Sequence, residues 1–308
     1  MRLGFKNIGF ILLLFSMLLS IPLKAQQEPM YSQYMFNMTQ INPAYAGNRA
    51  TNNIFSLYRK QWMNVDGAPT TASLSWDKRK KFSNVGYGLQ IYNDRLGIES
   101  TSGIQAFYSF HIPFKKSSLS LGLSGGVLNY RAEFSKSNTS DGNDPLFLEN
   151  VDGWLPTAGV GALFATEHWY VGVSSPSILK TKITLNNAQI MNANIHYFVT
   201  GGYIFNLTEI LKMKPSVLLK AVKGAPLAYD FNLNIWLNDI VGLGGSYRIN
   251  DGYVGMFEVQ ISPEFRLGYA YDYNTSILKT YSKGTHELML RYEFDSEKKQ
   301  RILSPRYY

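Results

Sequence analysis

The chain contains no cysteine. Disulfide staples, thiol catalysis, thiolate metal sites and a lipid-modified N-terminal cysteine are therefore excluded. Charge is scarce too: Asp, Glu, Lys and Arg make up 17% of the 308 residues, where soluble proteins usually reach about a quarter. Beyond the N-terminal leader no apolar run is long enough to cross a bilayer as a helix, which takes about 20 residues. Histidine is rare. His111, His168, His196 and His286 all fall in predicted strands, and none stands at metal-ligand spacing from another or beside a convincing serine nucleophile. Ser109 and His111 share a strand face, a spacing that often arises by chance. The sequence predicts no catalytic residue, no metal site and no cofactor, and so a protein that is not an enzyme.

Arg2 and Lys6 frame an apolar stretch over residues 8–21, and Leu23-Lys24-Ala25 offers a cleavage site after Ala25. Residues 1–25 read as a secretory signal. A retained helical anchor fits less well, because the run is short for a span. The formal net charge is +8, a mild basic excess that does not point to nucleic acid in an exported chain.

What is plentiful is aromatic or small: 14% aromatics, with 21 Tyr, and 26 Gly. From about Ile54 the hydrophobic pattern has period two. Val85, Tyr87, Leu89 and Ile91 alternate with Gly86, Gly88, Gln90 and Tyr92, and residues 117–130 and 264–272 behave alike. Alternation alone also suits a soluble sandwich. Segment length favours tilted membrane strands. Strands are predicted over 54–61, 70–77, 84–93, 101–112, 117–130, 157–166, 168–174, 194–206, 215–222, 229–236, 239–248, 253–261, 264–272 and 285–294. Connections 62–69, 94–100, 131–156, 175–193, 223–228, 249–252 and 273–284 are mostly long. Those between them are short, as on the periplasmic side of outer-membrane barrels. The predicted fold class is all-β: an antiparallel transmembrane β-barrel of about 14 strands in the outer membrane. Residues 26–53 form a periplasmic N-terminal segment or plug, 54–294 the barrel and 295–308 a periplasmic tail, which places both termini in the periplasm.

Within the N-terminal segment, Asn42-Pro43-Ala44-Tyr45-Ala46-Gly47 has the chemistry of one helical turn. Asn42 caps free N–H groups, Pro43 fits the first position and Gly47 suits a left-handed exit. It reads either as a plug or as a capped connector into the first strand. Lys78, Arg79, Lys80 and Lys81, with Lys115, Lys116, Lys212 and Lys214, gather on the short side. They are either solvated turns or a basic rim that docks a periplasmic partner. Asp141-Gly142-Asn143-Asp144, with Glu149 and Asp152, is rich in oxygen ligands but lacks calcium-loop spacing. The glycine pairs Gly86/Gly88 and Gly159/Gly161, and the cluster Gly242/Gly244/Gly245, precede no helix, so close packing inside a barrel explains them better than phosphate binding. The tail closes on Ser304-Pro305-Arg306-Tyr307-Tyr308, a frayed end or a contact peptide.

Several of these stretches together resemble one family. They are Ser32-Gln33-Tyr34-Met35-Phe36-Asn37, Ile41 to Gly47, Tyr58-Arg59-Lys60-Gln61-Trp62 leading to Asp66-Gly67-Ala68-Pro69-Thr70, Val85-Gly86-Tyr87-Gly88-Leu89, Asn93-Asp94 and His286 to Tyr292. The chain is similar to the PorP/SprF family of type IX secretion system outer-membrane proteins of Bacteroidetes. The resemblance implies a non-enzymatic barrel that supports export or surface attachment of proteins with a C-terminal sorting domain, including gliding adhesins. Implied partners are outer-membrane lipid, periplasmic type IX components including a peptidoglycan-binding lipoprotein, and the sorting-domain cargo, with no nucleic acid. Candidate partner-binding residues are Tyr34, Phe36, Asn37, Asn42, Pro43, Tyr45, Gly47, Arg59, Trp62, Asp66, Gly67 and Pro69, together with Lys78, Arg79, Lys80 and Lys81. Residues 34–47 and the basic turns are expected to face the machinery inside, and loops 131–156 and 175–193 the cargo. The alternative is a barrel transporter for hydrophobic small molecules with an N-terminal plug. A secreted sandwich adhesin leaves the alternation of loop lengths unexplained.

Overall fold

Alternation of apolar and polar residues is the dominant local signal, and it folds as the physics of lipid requires. Backbone groups in hydrocarbon need partners, and a closed ring of strands supplies one to each. The computed structural model describes residues 31–49, 51–80, 83–136, 149–180, 182–185, 188–192 and 194–294. Its strands are β1 (Asn52–Lys60), β2 (Thr70–Arg79), β3 (Val85–Leu96), β4 (Glu99–Pro113), β5 (Ser117–Ala132), β6 (Val151–Thr166), β7 (Trp169–Ser175), β8 (Lys182–Leu185), β9 (Ala188–Asn192) and β10 (His196–Tyr203). They continue through β11 (Phe205–Asn206), β12 (Leu211–Val222), β13 (Ala228–Leu237), β14 (Val241–Arg248), β15 (Gly252–Gln260), β16 (Phe265–Asn274) and β17 (Thr285–Phe294). β8 and β9 form a separate hairpin and β11 is a short appendage to β12. The other fourteen close an antiparallel barrel through β1 against β17, from Asn52↔Phe294 to Lys60↔His286.

The outward face carries residues such as Leu74, Leu89, Leu121, Leu123, Val171, Leu233, Leu243 and Leu290, all exposed. The inward face carries Arg59, Asp77, Lys214, Asp230, Arg248, Glu258, Arg266, Asp272, Glu287 and Arg291, all buried. This inversion is what lipid outside and protein inside demand. A cation at the lipid midplane costs about 2–4 kcal/mol. Leu123→Arg, mid-strand in β5 and 58% exposed, is accordingly expected to block assembly, read as loss of the heat-modifiable folded band on a gel.

Each of the fourteen predicted strands corresponds to one barrel strand, with differences at the ends. The predicted loop 94–100 shrinks to the turn Gly97-Ile98, because β3 and β4 continue upward in polar residues; Gly97 takes φ 58° to close it. Loop 131–156 shrinks to 133–150, and loop 175–193 contains the β8–β9 hairpin. Lys212 and Lys214 lie on β12, not in a turn. Lys214 points into the barrel, 1% exposed, and Lys212 pairs with Asp239 at 2.7 Å. The leader, the tail, Lys81 and Asp141–Asp144 lie outside the described residues; Asp152 instead pairs with Arg131 at 2.8 Å.

One end of the barrel gathers connections 80–84, 114–116, 167–168, 204–210, 238–240 and 261–264, the short-turn end. The other gathers 61–69, 133–150, 176–195 and 275–284 with three tight turns, the long-loop end.

Candidate functional site

Residues 31–49 run through the barrel. They fold as three 3-10 turns, Tyr34–Phe36, Met38–Gln40 and Pro43–Tyr45, each too short to stand alone. The last turn follows its local chemistry. Asn42 Oδ1 accepts from the Ala44 N–H at 2.9 Å, Pro43 occupies the first position and Gly47 leaves with φ 67°. Tyr34, Met35, Phe36, Met38, Ile41, Ala44 and Tyr45 are each at most 5% exposed. They are the centre of the main apolar cluster, packed on Phe55, Leu163, Tyr170, Phe198, Leu218 and Met289 of the wall. The segment is a plug.

Its seat is made by glycine. A Cβ on Gly86 would strike the Ala46 carbonyl, one on Gly122 the backbone of Pro43 and Ala44, and one on Gly161 the side chain of Asn42. At Gly47 a Cβ would lie 2.7 Å from the Lys78 carbonyl oxygen. These absences let the turn lie flat on β3, β5 and β6. Around the seat, Asn42 Nδ2 donates to the carbonyl of Ala162 at 3.0 Å, and Ser174 Oγ donates to that of Ile41 at 2.8 Å. Ser109 Oγ donates to the Ala46 carbonyl at 2.6 Å, with His111 bridging to Ser120 at 2.7 Å. The Ser109/His111 pair is thus buried beneath the plug and holds one of its carbonyls. Asn42→Ala removes the cap and the wall bond together, and should lower stability by about 1–2 kcal/mol. Denaturant titration of the detergent-solubilised barrel measures it.

A buried ionic latch holds the other end of the plug. Both carboxylate oxygens of Glu287 accept backbone N–H groups, from Ser32 at 2.8 Å and Gln33 at 2.7 Å. Arg59 donates to Glu287 at 3.0 Å, to Asp272 at 2.8 Å and to the Ser32 hydroxyl at 2.6 Å. Ser32 Oγ in turn reaches Asp272, and Arg248 pairs with Asp272 and Asp230, each at 3.3 Å. Lys60, Arg248, Asn274 and Thr285 end or begin their strands at the long-loop rim, so the latch lies towards that end. Gly47 instead donates to Asp77 at 3.0 Å, and Arg49 pairs with Glu293 at 3.1 Å, near the short-turn end. The plug therefore threads the lumen from the long-loop side to the short-turn side, where β1 begins.

This corrects the expectation that residues 34–47 face the periplasm: Tyr34, Phe36, Asn37, Asn42, Pro43, Tyr45 and Gly47 are enclosed by the wall. The remaining candidates separate. Arg59 belongs to the latch, whereas Trp62, Asp66, Gly67 and Pro69 lie in the connection 61–69 at the long-loop end. Lys78, Arg79 and Lys80 lie at the short-turn end. They form no single surface. Sequence reasoning missed Asp230, Arg248, Asp272 and Glu287; their signal was charge at inward-facing strand positions.

A family model described as "Type IX secretion system membrane protein PorP/SprF" matches residues 23–292. The chain belongs to this family. Among solved structures, the PorP/SprF chain is similar to the Ralstonia pickettii toluene transporter TbuX, at 9% identity and a TM-score of 0.50, covering 83% of this chain and 92% of that one. The Acinetobacter baumannii outer membrane protein Omp33 is similar at 11% identity and a TM-score of 0.47, over 80% and 98%. The NalP translocator domain of Neisseria meningitidis has 9% identity and a TM-score of 0.42, over 94% and 98%. These likenesses concern the fold of outer-membrane-type barrels alone. No curated protein matches the chain.

Proposed function

We propose that this chain is a closed, non-enzymatic barrel of the type IX secretion system, supporting export or surface attachment of proteins with a C-terminal sorting domain, gliding adhesins among them. The family match over residues 23–292 carries the reading. The filled lumen supports the role of a platform over that of a conduit, because residues 31–49 occupy the space a cargo chain would need. In the orientation usual for such barrels the short turns and the C-terminal strand end face the periplasm. Lys78, Lys80, Lys115 and Lys116 then form a basic rim towards periplasmic type IX components, including a peptidoglycan-binding lipoprotein.

A gentle-detergent pull-down of the tagged protein, read by mass spectrometry, tests this. The expected recovery is periplasmic type IX components together with a secreted sorting-domain protein. Changing those four lysines to Gln is expected to reduce recovery of the periplasmic components by roughly fourfold or more, since each exposed charge adds on the order of 0.2–1 kcal/mol. A second reading, transport of a hydrophobic small molecule past the plug, is favoured by the likeness to TbuX. Recovery of the barrel alone, with uptake of an aromatic hydrocarbon into cells expressing it, would support that reading instead.

A further inference from the structure

Among the described residues, one seam of the barrel wall is interrupted. β6 pairs with β5 along its whole length, from Ser117↔Thr166 to Ala132↔Val151. With β7 it pairs only from Val160↔Ser175 to Ala165↔Tyr170, because β7 stops at Ser175. Above that point the edge of β6 from Val151 to Gly159 joins no second ladder among the described residues. The β8–β9 hairpin does not repair it, forming a sheet of its own. Ile183 of that hairpin packs on the inner face, beside Tyr130, Ala132 and Val151. One backbone bond crosses the seam among the described residues, from the Ile178 N–H to the Ala158 carbonyl at 2.7 Å.

That bond sets the parity. Since the Ala158 carbonyl points into the seam, the two-residue repeat turns the backbone groups of Pro156, Trp154 and Asp152 the same way. Pro156 supplies no donor, a feature of strand edges. Trp154 stands on the outer wall 70% exposed. Beside it, Arg131 and Asp152 form an ion pair with side chains 53% and 48% exposed, which puts this part of the wall at the lipid boundary or above it. An unpaired edge there has few polar partners on its lipid side, and a strand of another chain satisfies it best.

We propose that residues 152–156 of β6 are a docking edge for an extended segment of a second, exported protein, which adds to the sheet antiparallel to β6. A second copy of this chain does not fit. Copies in one membrane share their orientation, so two β6 strands, each tilted about 40°, would cross and not pair. The partner strand donates to the Pro156 carbonyl and needs no acceptor opposite its nitrogen, and main-chain bonds supply the affinity. This inference rests on the secretion reading above and names a contact within it.

A photo-cross-linking benzoylphenylalanine in place of Trp154, in living cells, tests it. The expected product joins the barrel to a secreted protein with a C-terminal sorting domain. Trp154→Pro removes a donor facing the seam and leaves the β5 ladder intact. It should cut surface delivery of that protein at least tenfold at unchanged barrel yield. Cross-links confined to residues 176–195 of the same chain, or delivery unchanged by Trp154→Pro, would overturn the proposal. If the pull-down recovers no type IX component, the secretion reading itself fails. An intact pull-down with no cross-link to a second protein counts against the edge alone.

Discussion

Deleting residues 31–48 should turn a closed barrel into a conducting one. In planar bilayers the full-length protein is expected to give no step currents, and the deletion variant to give discrete ones. The segment places Tyr31, Tyr34, Met35, Phe36, Met38, Ile41 and Tyr45 in the lumen, all buried. Each such side chain contributes roughly 1.5–3 kcal/mol of burial as an upper figure, so the plug is held strongly and does not leave at random. The wall should survive its removal, because strand pairing closes the ring independently of the plug. A smaller perturbation should act in the same direction. Gly122→Val places a side chain where the backbone of Pro43 and Ala44 lies, and should displace the turn while β5 remains paired. Absence of current from the deletion variant would mean that the loops close the lumen by themselves.

The second large effect is expected at the latch. Glu287 is fully buried and receives two backbone N–H groups and Arg59. Glu287→Gln keeps the shape but removes the charge, leaving Arg59 the Asp272 carboxylate for its counter-charge, which Arg248 also uses. Breaking a buried pair from one side costs about 3–5 kcal/mol. At about 1.4 kcal/mol per decade that is a hundredfold or greater rise in the open population of this end of the plug. The natural absence of cysteine allows a clean readout: Met35→Cys, 2% exposed in the wild-type lumen, should resist maleimide in the parent and react about 100-fold faster beside Glu287→Gln. Equal labelling rates would show that the latch does not hold the plug.

The wall was legible in the sequence because lipid imposes an apolar residue at every second position, a constraint that leaves a local trace in each strand. The turn at Asn42–Gly47 was legible for a similar reason: cap, proline and exit glycine are neighbours in the chain. The path of the plug was not. Gln33 finds Glu287, 254 residues away, and Tyr34 finds Asn232, 198 away, and no local pattern encodes such pairs. The same limit hid the role of Gly86 and Gly161, which read as close packing without naming what packs, and of Gly122. Lys214 misled for another reason. A lysine beside Pro215 looks like a turn, yet its ammonium lies inside the wall over the ring of Trp236, 5.6 Å from the centroid, an arrangement that only the closed barrel creates.

The most direct test is export with the plug immobilised. Cysteines at Asn37 and Ser75, whose native side chains meet at 2.8 Å through the longer Asn37 amide, tie the plug to β2 when bridged by a short reducible bis-methanethiosulfonate. The locked barrel is then expressed in cells lacking the wild-type gene. The account predicts that those cells, unable to deliver the sorting-domain protein to their surface without the barrel, recover delivery to wild-type level with the lock closed. Delivery that returns only after the lock is reduced would contradict it, because the cargo or another solute would then need the lumen itself.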